Sequence, residues 1–113
     1  NTIDLRKSGA GEIHVRIACP PILYPCEFLN FSRARTPMEL AGRKAIFQLE
    51  GEGTDLTDYS NPDSEKYRKM VDKIAETLDF NSLIYQRLDD LVTAIGLPKE
   101  KLCTHCWDGS GIY

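Results

Sequence analysis

Two cysteines stand as Cys103-Thr104-His105-Cys106 near the end of the chain, and a third closes the run Pro20-Pro21-Ile22-Leu23-Tyr24-Pro25-Cys26. A Cys-x-x-Cys holds two thiolates one turn apart, so both can reach one metal ion or two corners of a cluster. A third thiolate in a rigid proline frame makes three donors where such sites use four. The incomplete set predicts a piece of something larger.

The chain has 113 residues and opens on Asn1 rather than Met, which fits an excised or processed segment of one domain. Its 42% hydrophobic and 27% charged residues are ordinary for a globular segment. The net charge of −3 comes without a basic stripe, which speaks against nucleic-acid binding. No apolar run reaches the length of a membrane span, and no signal peptide is visible. Four cysteines (Cys19, Cys26, Cys103 and Cys106) allow three disulfide pairings. With nothing pointing to secretion, reduced thiols in the cytoplasm are expected. The sequon Asn30-Phe31-Ser32 is then accidental.

Along the chain, residues 2–8 read as the end of a helix stopped by Gly9 and Gly11. Ile13-His14-Val15-Arg16-Ile17-Ala18 alternates as a strand with Ile13, Val15 and Ile17 on its apolar face, and Pro20-Pro21 ends it. His14 falls on the polar face. Thr36-Pro37-Met38-Glu39 carries a capping box and opens a second helix. Residues 50–63, with Glu50, Gly51, Glu52, Gly53, Asp55, Asp58 and Asp63, read as a solvated acidic loop without the calcium-loop spacing. Tyr67, Met70, Val71, Ile74 and Leu78 form a helical stripe over 64–78, capped by Asn61-Pro62 or Asp63. Ser82-Leu83-Ile84-Tyr85 is a short strand, and Leu88, Leu91, Val92 and Ile95 mark a helix stopped at Gly96. The order is α-β-α-loop-α-β-α and then the cysteine tail. Cys-x-x-Cys follows a helix and a Pro-Lys-Glu-Lys turn, not a strand as in thioredoxin-type sites, so metal ligation ranks above redox chemistry. Cys19 reads as a small buried hydrophobe. Extended, the segment between it and Cys26 would carry it up to about 23 Å away.

The run from Ile13 to Cys26, the segment from Ser82 to Gly96 and the tail Leu102-Cys103-Thr104-His105-Cys106 resemble the amidophosphoribosyltransferase family over residues 1–26 and 71–108. The resemblance implies an α/β fold: the C-terminal part of a type I phosphoribosyltransferase domain plus a helical C-terminal extension. Residues 1–26 would end the core, 27–63 form a divergent connection with the acidic loop, and 64–113 form the extension. It also implies a parent glycosyltransferase that joins phosphoribosyl pyrophosphate, as its Mg2+ complex, to ammonia from glutamine in the first committed step of purine biosynthesis. Phosphoribosylamine, glutamate and pyrophosphate are the products, and the small-molecule substrates and a homo-oligomer are its expected partners. In iron–sulfur members, Cys26, Cys103 and Cys106 match three of the four [4Fe–4S] ligands, and the fourth lies upstream. Asn1 and Thr2 match the last residues of the phosphate-binding loop. The glutaminase nucleophile and the acidic pair on the ribose are missing, so the chain alone is expected to be inactive and to lack the cluster. The family usually has Ser at Cys19, and 27–70 match it poorly. The alternative is a stand-alone zinc-binding or redox Cys-x-x-Cys module.

Overall fold

The computed structural model describes residues 2–28 and 36–111. The sequon and Asn1 lie outside these residues. The elements are α1 (Thr2–Lys7), β1 (His14–Ile17), α2 (Ala41–Glu50), α3 (Glu65–Leu78), β2 (Ser82–Tyr85), α4 (Leu88–Ile95) and α5 (His105–Asp108). Single 3-10 turns sit at Pro37–Glu39, Asp58–Ser60 and Lys99–Lys101.

The strands form a two-stranded parallel sheet in which His14 pairs with Ser82 and Ile17 with Tyr85. Parallel pairing needs a long crossover, and residues 18–81, with α2 and α3, supply it. The alternation of β1 works as its sequence dictates. Ile13 is buried and Val15 and Ile17 pack on the core, while His14 and Arg16 face outward. His14 Nδ1 lies 2.7 Å from Ser82 Oγ and its Nε2 lies 3.0 Å from Glu12. Arg16 also donates to Ser82 Oγ, at 2.9 Å. The result is a mixed α/β arrangement of helices on a small parallel sheet.

The core is Leu23, Ala45, Ile46, Tyr59, Met70, Val71, Ile74 and Leu83. It forms where α2 crosses α3, and Gly42 makes the closest approach. A Cβ on Gly42 would stand 2.6 Å from Leu23 Cδ2 and 3.4 Å from Met70 Sδ. Three stripe residues of α3, Met70, Val71 and Ile74, are buried as the spacing requires. Leu78, in the last turn, is 45% exposed and lines an open cleft with Ala45 and Gln48 of α2. Asp79 closes α3 in the left-handed conformation at φ 58°. Its carboxylate receives Arg6 Nε at 2.8 Å, and Arg6 Nη2 donates to the Asp79 carbonyl and to Asn81 Oδ1. That fork fastens α1 to the start of β2.

Three local expectations change. Thr36 makes no side-chain cap, and the Pro37–Glu39 turn ends where Leu40 adopts extended backbone, so α2 starts afresh at Ala41. The helix must start there to present Gly42 to Leu23 and Met70. The cap of α3 is Ser64, whose Oγ accepts from the Tyr67 N–H at 3.0 Å. Asn61 turns the preceding backbone by accepting from Asp63 N–H at 3.0 Å, and Asp63 instead pairs with Arg87 at 3.0 and 3.2 Å. The acidic loop is not wholly solvated, since Tyr59 within it is only 2% exposed. Its ring fills the core and its hydroxyl donates to the Glu50 carboxylate. Burial, then this carboxylate, pushes the Tyr59 hydroxyl up to about 12. A large ring with one polar tip suits this compromise.

Candidate metal centre

The sheet ends where Ile17 carbonyl accepts from Gln86 N–H at 3.0 Å. Cys19 follows, half-buried, and then Pro20 and Pro21, both buried. With two consecutive prolines the chain leaves the ladder here. It turns across the C-terminal tail, where Leu23 and Tyr24 N–H groups both donate to the Cys106 carbonyl, at 2.8 and 3.1 Å. Arg43 Nη1 donates to the Leu23 carbonyl at 3.0 Å and ties the same segment to α2. Tyr24 stacks at a tilt on His105, centroids 5.8 Å apart. The α5 stop, Gly109 at φ 74°, is required twice over. Its backbone is left-handed, and a Cβ would sit 2.8 Å from the Tyr24 ring.

This clamp fastens the segment that leads to Cys26 to the tail that carries Cys103 and Cys106. No disulfide joins the four cysteines. Cys106 is 8% exposed and Cys103 is exposed. The Phe28 N–H donates to Cys26 Sγ at 3.4 Å. Burial pushes the Cys106 thiol up to about 11, and the thiols of Cys26, Cys103 and Cys19 reinforce the shift. A raised thiol pKa is the opposite of what a redox nucleophile needs. Among the described residues, no three Cys, His, Asp or Glu side chains meet at the spacing of a single ion.

Cys19 is a free, half-buried thiol. The segment from it to Cys26 is pinned midway, at Leu23 and Tyr24, to the Cys106 carbonyl. Burial alone raises the Cys19 thiol. Thr2 opens α1 and is half-buried. His105, between its two cysteines, packs its ring on Tyr24.

The tail itself depends on a residue that the cysteine motif conceals. Asp108 receives Lys99 Nζ at 2.7 Å, the Thr104 hydroxyl at 3.1 and 3.2 Å, and Ser110 N–H and hydroxyl at 2.9 and 2.6 Å. The turn sequence Asp108-Gly109-Ser110 was the available local signal.

A parallel strand pair joined by a helical crossover, with the segment after its first strand hydrogen-bonded to a thiol-bearing tail, makes this a mixed α/β chain. Comparison with known proteins gives the class its particular form. The chain is 30% identical over 105 residues to the amidophosphoribosyltransferase of Methanothermobacter thermautotrophicus, covering 93% of this chain and 17% of that protein. It is 30% identical over 106 residues to the Mycobacterium tuberculosis enzyme, covering 93% of this chain and 16% of that protein. The human enzyme matches at 32% over 91 residues, covering 80% of this chain and 13% of that protein. The chain is thus a relative of amidophosphoribosyltransferase and corresponds to one segment of it, spanning about a sixth of the length of these proteins. No family model matches it, and no solved structure does. Among the described residues no helix is long and apolar enough to cross a membrane.

Proposed function

We propose that the chain is the C-terminal portion of an amidophosphoribosyltransferase: the end of a type I phosphoribosyltransferase domain, with a C-terminal extension folded back on it. The whole protein would hydrolyse glutamine and pass ammonia to Mg2+-bound phosphoribosyl pyrophosphate, committing phosphate-sugar to purine synthesis in the cytoplasm. The carrying observation is the match to these enzymes over 93% of the chain. The parallel β1–β2 pair with its helical crossover supports it, since that unit is the building block of α/β domains. Asn1 and Thr2 would be what remains of the loop whose backbone amides hold phosphate.

Cys26, Cys103 and Cys106 would be ligands of a [4Fe–4S] cluster, which would lock the segment after β1 to the tail. A single zinc ion draws its sulfurs to about 2.3 Å from one centre. A cluster spaces its thiolates more widely.

The protein that carries this chain, purified anaerobically, is expected to release glutamate from glutamine and consume phosphoribosyl pyrophosphate. The 113-residue chain alone should do neither, because the nucleophile and the ribose-binding carboxylates are not in it. A longer protein without either activity, or turnover that scales with the chain alone, would refute the assignment.

The isolated chain should also self-associate as a homo-oligomer. Among the described residues each of the two strands has one partner, and parallel sheets are almost always extended and covered on both faces. Ile84 on the outward face is 54% exposed, and Ile3 on α1 is 64% exposed. Sedimentation velocity over a hundredfold range of concentration should show mass rising with concentration. A constant monomer mass with fast-exchanging amides at 14–17 would show that the open edges are tolerated.

A further inference from the structure

The outward face of the sheet carries a cluster of reactive side chains far from the cysteines in sequence logic and unused by the chemistry above. The register sets His14 of β1 opposite Ser82 of β2, and Arg16 opposite Ile84. Arg16 Nη1 donates to Ser82 Oγ at 2.9 Å. A guanidinium can only donate, so Oγ accepts there, and the one hydroxyl proton of Ser82 is left for His14 Nδ1, 2.7 Å away. Nδ1 is then the bare nitrogen of the ring, and the ring proton sits on Nε2, which donates to the Glu12 carboxylate at 3.0 Å. Nucleophile, base and orienting carboxylate thus follow one another in the order that activates a serine hydroxyl. Besides Ser82, Arg16 donates only to the Val15 carbonyl, again through Nη1. Among the described residues its Nε and Nη2 therefore remain available to an oxyanion forming at Ser82. Ile84, two residues along the same face and 54% exposed, offers an apolar shelf.

We propose that Ser82, His14 and Glu12 form a nucleophilic triad that hydrolyses small, apolar carboxylic esters with good leaving groups, with Arg16 as the oxyanion donor. This activity is separate from the glutamine and phosphoribosyl chemistry and uses only residues of this chain. Ser82 Oγ bonds to the acyl carbon while its proton passes to His14 Nδ1. The bond from that carbon to the leaving oxygen breaks, and the proton departs with the alcohol. Water then attacks the acyl-serine and gives a proton to Nδ1, which returns it to Ser82 Oγ as the carboxylic acid leaves. No group is oxidised or reduced. Glu12 holds the ring with Nδ1 bare and steadies the imidazolium that forms twice in each cycle. The face is open, so acyl chains of different length should be accepted, with Ile84 favouring apolar ones.

The test is trapping of the 113-residue chain with an alkyl fluorophosphonate, which bonds to activated serine hydroxyls with loss of fluoride, followed by peptide mass mapping. One adduct should form, at Ser82, roughly a hundredfold faster than at the other serines, the lower end of what a positioned base contributes. This mapping needs no variant, so it does not depend on a substitution folding. The chain should also release nitrophenolate from p-nitrophenyl butyrate over many turnovers, and the trapped chain should not. His14→Gln alters an exposed side chain and, once its fold is checked by circular dichroism, should slow trapping by about the same hundredfold. A purely structural cross-strand contact would leave that rate unmoved. Adducts scattered over several serines, none at Ser82, an unchanged trapping rate in His14→Gln, or ester turnover that survives trapping would each overturn the proposal.

Discussion

Met70→Ala is expected to lower the unfolding free energy by about 2–5 kcal/mol, the range for truncating a fully buried long side chain. Met70 has no exposed surface and sits where α2, α3 and the strap after β1 meet. Domains of this size are held by only about 5–15 kcal/mol in total, so a substantial share of the margin rides on this residue. The urea midpoint should fall while the slope stays constant, because the change removes contacts without altering what unfolds. The complementary change, Gly42→Val, overfills the same spot. Its first carbon would stand 2.6 Å from Leu23, itself only 1% exposed, and the neighbours have no solvent to move into. About 1–3 kcal/mol is expected. Leu23 carries one of the two bonds to Cys106, so this variant should also speed alkylation of Cys106 in the metal-free chain. A loss under about 1 kcal/mol for Met70→Ala would show that the α2–α3 crossing is not the centre of the core.

What the sequence disclosed, and what it hid, divides along the range of the interactions. The alternation at 13–17, the stripe at 67–74 and the Gly96 stop are written within a few residues of where they act, and the elements fall there. The acidic loop misled because its charged residues outnumber Tyr59, although one buried ring outweighs several solvated carboxylates in fixing a segment's path. Thr36 carried a legitimate capping pattern, but the packing of Gly42 on Leu23 and Met70 decides where α2 begins. The helix α4 has the expected apolar stripe and yet no buried residue, so periodicity reported an amphipathic face without saying whether these residues cover it. In the candidate site the Cys-x-x-Cys was plain, while the place of Cys19 was not. The segment that follows it is fastened to the tail by two hydrogen bonds between opposite ends of the chain, and no local pattern encodes those. The four-residue α5 is equally silent, being too short to form by propensity alone.

Asp108 holds α5, and its removal should loosen the tail that bears both C-terminal cysteines. Burial by itself would raise this carboxyl, but hydrogen bonds from Lys99, Ser110 and Thr104 more than offset that and bring it down to about 2 from 3.8. The side chain is only 14% exposed, so solvent screens these bonds weakly. The sign follows from the depressed value. The folded state binds the proton less readily than the unfolded state, so the stabilisation is complete above about pH 4 and drains away as pH falls toward 2. Its size is about 2 kcal/mol. Asp108→Ala removes the acceptor for Lys99, leaves Thr104, itself only 3% exposed, with Ser110 as its hydroxyl's partner, and should cost about 1.5–3 kcal/mol at neutral pH. Because the loss is local, it should appear most clearly at Cys106. In the metal-free chain the alkylation rate there should rise roughly thirtyfold, the factor for about 2 kcal/mol of easier local opening. Asp108→Asn, which keeps the shape but not the charge, should flatten the stability profile between pH 4 and 2. An unchanged Cys106 rate in Asp108→Ala, together with an unaltered acid limb in Asp108→Asn, would mean that the Leu23 and Tyr24 bonds hold the tail without help from this carboxylate.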